Sequence, residues 1–296
     1  MRARRYRQCG WQIGLTQMSN VKVAFLRWSL RMLLFALVLV LATVALIYVR
    51  QHSLIYHPRA YDSSYRDALP DNGVEITYML PIGEQTAYYI PGHEKVPTRV
   101  WVAFCGNGSL ALDWTTILAN YPNNGDAFLL IDYPGYGKNR GYATIQSTRA
   151  AADNGVRALI ERLALQEEQV HLCVIGHSLG SAVALDFATR HRVERIVAIA
   201  PFTTLREEAA TVVGHPLSRL LVENYDNRKA LAQIAERNPG VHVSIFHGVE
   251  DQVIPCEMGR ELAREFSNVD FFPISGADHV NVLTLAKDRI ITSMTN

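Results

Sequence analysis

Beyond residue 99 the chain alternates short apolar runs with longer stretches whose apolar residues recur every three to four positions. The runs are Val100 to Phe104, Ala127 to Ile131, Val170 to Ile175, Arg195 to Ala200, Val241 to Phe246 and Val269 to Pro273. Such runs suit strands buried on both faces of a parallel sheet. The intervening stretches predict helices over Leu112 to Asn120, Thr148 to Leu165, the small-residue segment after Gly180, Cys256 to Phe266 and Val282 to Met294. Ahead of them, Gly73 to Leu80 alternates apolar and polar residues, Pro81-Ile82-Gly83 reads as a turn, and Thr86 to Ile90 as the returning strand. That is an antiparallel hairpin at a sheet edge. The whole predicts one α/β domain over 73–296, a mostly parallel sheet with helices on both faces. Between 201 and 239 the alternation lapses. This short cap-like insertion, with a helical run from Arg228 to Glu236, is expected to cross above the C-terminal edge of the sheet and leave an open site.

The N-terminal pattern differs. Residues 1–31 carry Arg2, Arg4, Arg5, Arg7, Lys22, Arg27 and Arg31, and no acidic residue precedes Asp62. Met32 to Val49 is then uncharged and almost wholly apolar. At about 1.5 Å per residue the run spans roughly 27 Å, close to the hydrocarbon core of a bilayer. Trp28 and Tyr48 stand where interfacial aromatics would. No polar face suits a buried core helix, and no good small-residue cleavage site follows the run. An uncleaved signal anchor over 32–49 is therefore expected, with 50–72 as a connector. The basic flank places the N-terminus in the cytoplasm and the domain on the extracytoplasmic side, periplasmic or lumenal. Met18-Ser19-Asn20 also reads as a sensible alternative start.

Composition narrows the picture further. The 296 residues, 49% of them hydrophobic, suffice for one sizeable core. A net charge of +1 gives no field for nucleic acid, and no such partner is expected. Cys9, Cys105, Cys173 and Cys256 form no C-x-x-C pair, which argues against a disulfide framework. The ten histidines include no H-E-x-x-H, so no metal site and no cofactor are expected.

One apolar run leads into a distinctive turn. After Ile175 comes Gly176-His177-Ser178-Leu179-Gly180, and then Ala182, Val183, Ala184, Phe187 and Ala188. Strand, G-x-S-x-G and helix together make a nucleophile-elbow pattern. A sharp turn presents the serine oxygen, and its flanking positions lie too close to backbone for side chains. The new helix aims its N-terminal N–H groups where an oxyanion would form.

A serine of this kind needs a base and an acid, each in a loop after a strand, in the order serine, acid, histidine. Following Phe246 the chain reads His247-Gly248-Val249-Glu250-Asp251, and Asp251 is the better acid; Glu250 reads as a solvated loop charge. After Pro273 comes Gly276-Ala277-Asp278-His279, and His279 is the candidate base. His171, His177, His242 and His247 read as structural or turn residues. Two backbone donors would complete an oxyanion hole. These are Leu179 and, from the glycine-rich turn Cys105-Gly106-Asn107-Gly108, Asn107.

As an ordered set these residues resemble the α/β-hydrolase superfamily. The likeness runs from about Leu54 to the C-terminus, carried also by Tyr56-His57-Pro58-Arg59, Asp132-Tyr133-Pro134-Gly135-Tyr136-Gly137, Pro201-Phe202 and the Val253-x-Pro255 that follows Asp251. More narrowly it is similar to the membrane-anchored α/β-hydrolase-domain serine hydrolases, which include lysophospholipases, lipases and protein depalmitoylases. Two departures bear on substrate. Cys105 stands where the family usually has histidine, and Lys138-Asn139-Arg140 where a serine is usual. The resemblance implies a serine hydrolase acting on acyl esters or thioesters through an acyl-enzyme, and tethering near a bilayer, which concentrates amphiphiles, points to amphiphilic acyl substrates. Acyl transfer, peptide cleavage on the same three residues, or a non-catalytic binding protein on the same fold remain as alternatives. Oligomeric state is not legible.

Overall fold

The computed structural model describes residues 8–122 and 125–295, with side chains from residue 22 onward in the N-terminal helix. Arg2, Arg4, Arg5 and Arg7 of the basic flank lie outside the described residues. The chain divides into two compact units, residues 1–50 and 51–296.

Helix α1, Gln8–Ile55, contains a 34-residue stretch, Lys22–Ile55, long and apolar enough to cross a membrane. It overruns the span predicted over 32–49 at both ends. Once nucleated, a helix continues until the sequence stops it, and the first proline after the apolar run is Pro58. The predicted connector over 50–72 is corrected accordingly: its first residues are helical to Ile55, and only the remainder runs as loop and a 3-10 turn at Ser63–Tyr65.

Among the described residues of the second unit, eight strands form one sheet. They are β1 (Val74–Leu80), β2 (Gly83–Ile90), β3 (Val100–Phe104), β4 (Ala127–Ile131), β5 (Leu172–His177), β6 (Arg195–Ile199), β7 (His242–Gly248) and β8 (Val269–Ile274). The spatial order is β1-β2-β4-β3-β5-β6-β7-β8. The β1–β2 hairpin forms one edge, with Leu80 opposite Gly83 and Val74 opposite Tyr89. β2 meets β4 antiparallel, and every pairing from β4 to β8 is parallel. The sheet is thus mostly parallel.

Alternate side chains of each run serve opposite faces, which is why the central strands are apolar throughout. Val100, Val102 and Phe104 of β3 join one core cluster, Trp101 and Ala103 the other. Buried residues of α2 (Trp114–Leu118) lie in the second cluster, and those of α3 (Ile145–Leu163) and α4 (Leu179–Ala188) in the first. Two helices then form the cap excursion, α5 (Leu205–Val213) and α6 (His215–Ser218), before α7 (Asn227–Arg237), α8 (Cys256–Glu265), α9 (Val282–Leu285) and α10 (Lys287–Thr295). Buried residues of α7 and α8 join the first cluster, and those of α9 and α10 the second. The closing helix predicted over Val282 to Met294 is therefore two helices, broken at Ala286.

The insertion predicted over 201–239 is narrower than expected. α7 buries Ala230, Leu231 and Ile234 in the core and packs beside α4, so it is a sheet-covering helix. The excursion is closed at its base by an antiparallel bridge between Thr204 and Asp226. Leu205 N donates to Tyr225 O (2.9 Å) and Asn227 N to Thr203 O (3.0 Å). It leaves the sheet after β6, at the end where β5 delivers Ser178.

Candidate active site

β5 ends at His177, and Ser178 takes φ 56°, ψ −121°, a conformation costly for any residue with a Cβ. α4 starts at the next residue. Ser178 N donates to Ile199 O at 2.8 Å, tying the turn to β6. The flanking glycines are dictated by backbone: a Cβ at Gly176 would lie 2.0 Å from Gly180 O, and one at Gly180 would lie 2.2 Å from Phe104 O. Beneath the turn, the buried Ser181 hydroxyl reaches Gly176 O (2.8 Å) and Ile199 O (2.7 Å).

The loops after β7 and β8 bring Asp251 and His279 to this serine. They are joined to each other: Val249 N donates to Ile274 O (3.0 Å) and Glu250 N to Ala277 O (2.9 Å). Gly248 permits this approach, since its Cβ would lie 2.4 Å from Ala277 O. Asp278 shapes the next turn by accepting from Val280 N (2.9 Å) and Asn281 N (2.8 Å). As a result His279 Nδ1 lies 2.7 Å from Asp251 Oδ2, and His279 Nε2 lies 2.9 Å from Ser178 Oγ. A carboxylate can only accept, so the imidazole proton belongs on Nδ1. Nε2 is then left to accept from the Ser178 hydroxyl. Glu250 is exposed and Asp251 buried.

Asp251 is held charged. Its burial pushes the carboxyl pKa upward, but hydrogen bonds from His247 and His279, with that from Ile254 N, outweigh burial and hold it well below the usual carboxylate range. Oδ1 accepts from Val253 N (2.9 Å) and Ile254 N (2.8 Å). His247, fully buried, places Nε2 2.9 Å from Ile254 O and 3.3 Å from Asp251 Oδ2. With acceptors on that side, Nε2 carries the proton.

His177 holds His279 from the other side. Its Nε2 lies 2.8 Å from the carbonyl of His279, to which it donates, and the two rings sit 5.0 Å apart. Burial, with the neighbouring His279 ring, lowers the His177 pKa to about 4, so the imidazole stays neutral.

The two candidate oxyanion donors come from segments in contact. Leu179 is the first residue of α4, where amides have no partner within the helix. The turn after β3 lies against the elbow through the Gly180 contact to Phe104, and a Cβ at Gly106 would lie 2.9 Å from His177 Nδ1. Asn107 is fixed by its side chain: Oδ1 accepts from His57 N (2.8 Å) and from the Tyr136 hydroxyl (3.1 Å). Cys105 is buried in this turn, and burial pushes its thiol pKa well up, so it acts as an apolar filler.

Several supporting contacts were not foreseen from the sequence. The connector braces the turn after β3 through Tyr61, which donates to Asp132 (2.6 Å), and Tyr65, which donates to Asp113 (2.6 Å). Asp132 and Asp113 in turn accept from Ala111 N (2.8 Å) and Leu110 N (2.9 Å). Asn139, within the segment that departs from the family pattern, ties the loop to β2 by accepting from Thr86 N (2.6 Å). His177 and His247 did carry a signal, since each lies inside a motif beside a candidate residue.

Residues 97–242 match the family model described as serine aminopeptidase, S33, a stretch that includes Ser178 but ends before Asp251. Over 229 residues the chain is 28% identical to an uncharacterized protein of Mycobacterium tuberculosis, covering 74% of this chain and 76% of that one. Among solved structures it resembles an esterase of Pyrococcus furiosus (TM-score 0.61, 15% identity, 81% of this chain and 96% of that one). It also resembles an alpha-beta serine hydrolase homologue from Coxiella burnetii (TM-score 0.55, 16% identity, 75% and 97%). At such identities the structural likeness is one of fold.

Proposed function

We propose, on the premise that this chain is an α/β hydrolase by fold, that it is a membrane-anchored serine hydrolase cleaving carboxylic esters or thioesters of amphiphilic acyl substrates. The observation that carries this reading is the hydrogen-bonded series Asp251–His279–Ser178 ending on a strained elbow. Ser178 Oγ attacks the acyl carbonyl while His279 Nε2 takes its proton. The imidazolium so formed faces the charged Asp251, and the oxyanion meets the amides of Leu179 and Asn107. His279 returns the proton to the leaving alcohol or thiol, and an acyl-enzyme remains. Water gives a proton to the same His279 and attacks the acyl carbon; the bond from Ser178 Oγ to the acyl group breaks, His279 returns the proton to Oγ, and the carboxylic acid leaves. The residues need no cofactor for these steps.

Helix α1 is the anchor in this reading, a signal anchor with the basic flank cytoplasmic and the domain extracytoplasmic. Resistance of the full chain to alkaline carbonate extraction, with protease access to the domain only from the extracytoplasmic side, is the expected result. Release by carbonate would remove the anchor.

Turnover is tested with p-nitrophenyl esters of two to sixteen carbons, with Ser178→Ala beside the native chain. Loss of about 10⁴-fold or more in Ser178→Ala is expected, together with fluorophosphonate labelling of Ser178. Absence of both turnover and labelling would favour a non-catalytic binding protein. Labelling without ester turnover would favour an acyl acceptor other than water, or peptide cleavage. The family match over 97–242 gives peptide cleavage independent weight, and aminoacyl coumarin amides test it directly.

A further inference from the structure

The cap excursion ends in a tip that is apolar and faces outward. From Ala209 it reads Ala-Ala-Thr-Val-Val-Gly-His-Pro-Leu-Ser-Arg-Leu-Leu-Val, with Arg219 and His215 its sole titratable residues. Val212 is 78% exposed and Val222 58%, and Val213 and Leu217 are also exposed. A water-facing tip of this composition is unfavourable unless something apolar covers it.

The tip is braced at its base, so the exposure is built in. Arg206 donates to Leu221 O from Nε (3.1 Å) and from a terminal guanidinium nitrogen (2.8 Å), tying α5 to the returning strand of chain. Glu223 accepts from Ile145 N at the start of α3 (2.6 Å) and from the Tyr56 hydroxyl (3.4 Å). One further bond identifies the surroundings. Val222 N donates to Gln51 Oε1 at 2.8 Å, and Gln51 lies in the last turns of α1. Gln51 and the foot of the cap tip are therefore neighbours.

Resting on the reading of α1 as a membrane span, we propose that the cap tip, 212–222, is a second membrane-contacting surface, seated in the interfacial layer of the same bilayer. A span that leaves the membrane near Gln51 puts the lipid interface beside Val222. Val212, Val213, Leu217 and Val222 then enter the acyl boundary, while His215 and Arg219 reach the headgroups, the division of labour of interfacial segments. The far end of α5 is anchored at Thr204, just beyond β6 and the elbow. Val253 and Val280, 55% and 68% exposed, flank Asp251 and His279 at the same end of the sheet. Acyl chains held in the bilayer are in this way brought next to Ser178, and the substrate class this favours is a membrane-resident acyl lipid or lipidated molecule.

The test uses the full chain in vesicles of phosphatidylcholine and phosphatidylglycerol, with Cys9→Ser and Cys256→Ser; Cys105 and Cys173 are buried. A single environment-sensitive dye is placed through Val213→Cys, Leu217→Cys, Leu37→Cys in the span, or Glu168→Cys at the opposite end of the sheet. Quenching by 5-doxyl lipid at 213, 217 and 37, at least about twofold stronger than at 168, is expected for interfacial seating. Quenching at 37 alone would overturn the docking surface and leave the anchor standing. No quenching at 37 would overturn the anchor, and this inference with it. Protection of 213 and 217 from both doxyl lipid and aqueous iodide would assign the tip to a second copy or another protein and equally overturn the proposal.

Discussion

Nε2 of His247 stands 3.3 Å from Oδ2 of Asp251, the same oxygen that accepts from His279 at 2.7 Å. With two backbone amides on Oδ1, the carboxylate faces four donors and stays ionised across the neutral range. Asp251→Asn would place an amide where only an acceptor fits and would favour the wrong His279 tautomer. A fall of about 10⁴-fold in kcat is expected. Glu250→Gln should stay within about twofold of the native rate, because Glu250 is exposed. If Glu250→Gln is the damaging change, the assignment of the acid is wrong.

Gly259, inside α8, faces His247 directly: a Cβ there would lie 2.6 Å from Nδ1 of that ring. Helix propensity alone would make Gly259→Ala stabilising by about 1 kcal/mol. Overpacking of a buried ring costs about 1–3 kcal/mol and should win. The variant is expected to melt lower and to lose turnover as His247 is pushed against Asp251. In a His247→Ala background the ring is gone, and the same glycine substitution should become neutral or stabilising. Destabilisation that persists there would place the clash elsewhere, on Phe271 or Ile245.

Much of this arrangement was legible locally. β3 and β4 begin and end where their apolar runs do, because strands buried on both faces have no other way to read. Ser178, Asp251 and His279 each follow a strand, so motif and strand order together marked them. What was not legible depends on pairs distant in sequence. The sequence 201–239 has no alternation to show that α7 covers the sheet while α5 and α6 leave it. The amide of His57 meets Asn107 fifty positions on, and His177 meets the carbonyl of His279 after more than a hundred. No period or spacing encodes such contacts. The C-terminal end of α1 was not legible for another reason: the apolar run sets the length of a span, whereas the helix continues to Ile55, shortly before Pro58.

Two buried groups make opposite contributions to acid stability. His177 has its pKa lowered to about 4, chiefly by burial, so its contribution is complete above pH 6.5 and is lost as the pH falls towards 4. Asp132 has its pKa raised to about 6, again chiefly by burial, so carrying its charge costs stability above pH 6. That cost is recovered as the pH falls through 6 towards 3.8. Each effect is roughly 3 kcal/mol at full extent, and across pH 4–6 they largely offset. Urea unfolding in detergent at several pH values separates them. Relative to Asp132→Asn, the native chain should gain up to about 3 kcal/mol as the pH drops from 7 to 4. Relative to His177→Asn it should lose a similar amount. A pH-independent difference in either pair would mean that the group does not titrate as its burial implies.

The elbow stores strain at a measurable position. Ser178 has φ 56° and ψ −121°, whereas Ala164, at the end of α3, has φ 52° and ψ 38° in the ordinary left-handed well. Strain of the first kind costs about 1–3 kcal/mol for any residue with a Cβ, and a glycine relieves it. Ser178→Ala removes the hydroxyl proposed as nucleophile but keeps the strain; Ser178→Gly removes both. The glycine also loosens the unfolded chain, a cost of at most about 1 kcal/mol. Ser178→Gly should therefore be more stable than Ser178→Ala by about 1 kcal/mol, with both variants inactive. Equal stability, or a less stable Ser178→Gly, would mean that the turn is not strained by its Cβ. The expected order follows from what the turn does. The strand above and the helix below fix the backbone at both sides, Gly176 and Gly180 allow them to close on one another, and the serine between takes the only path left, with its hydroxyl beside His279.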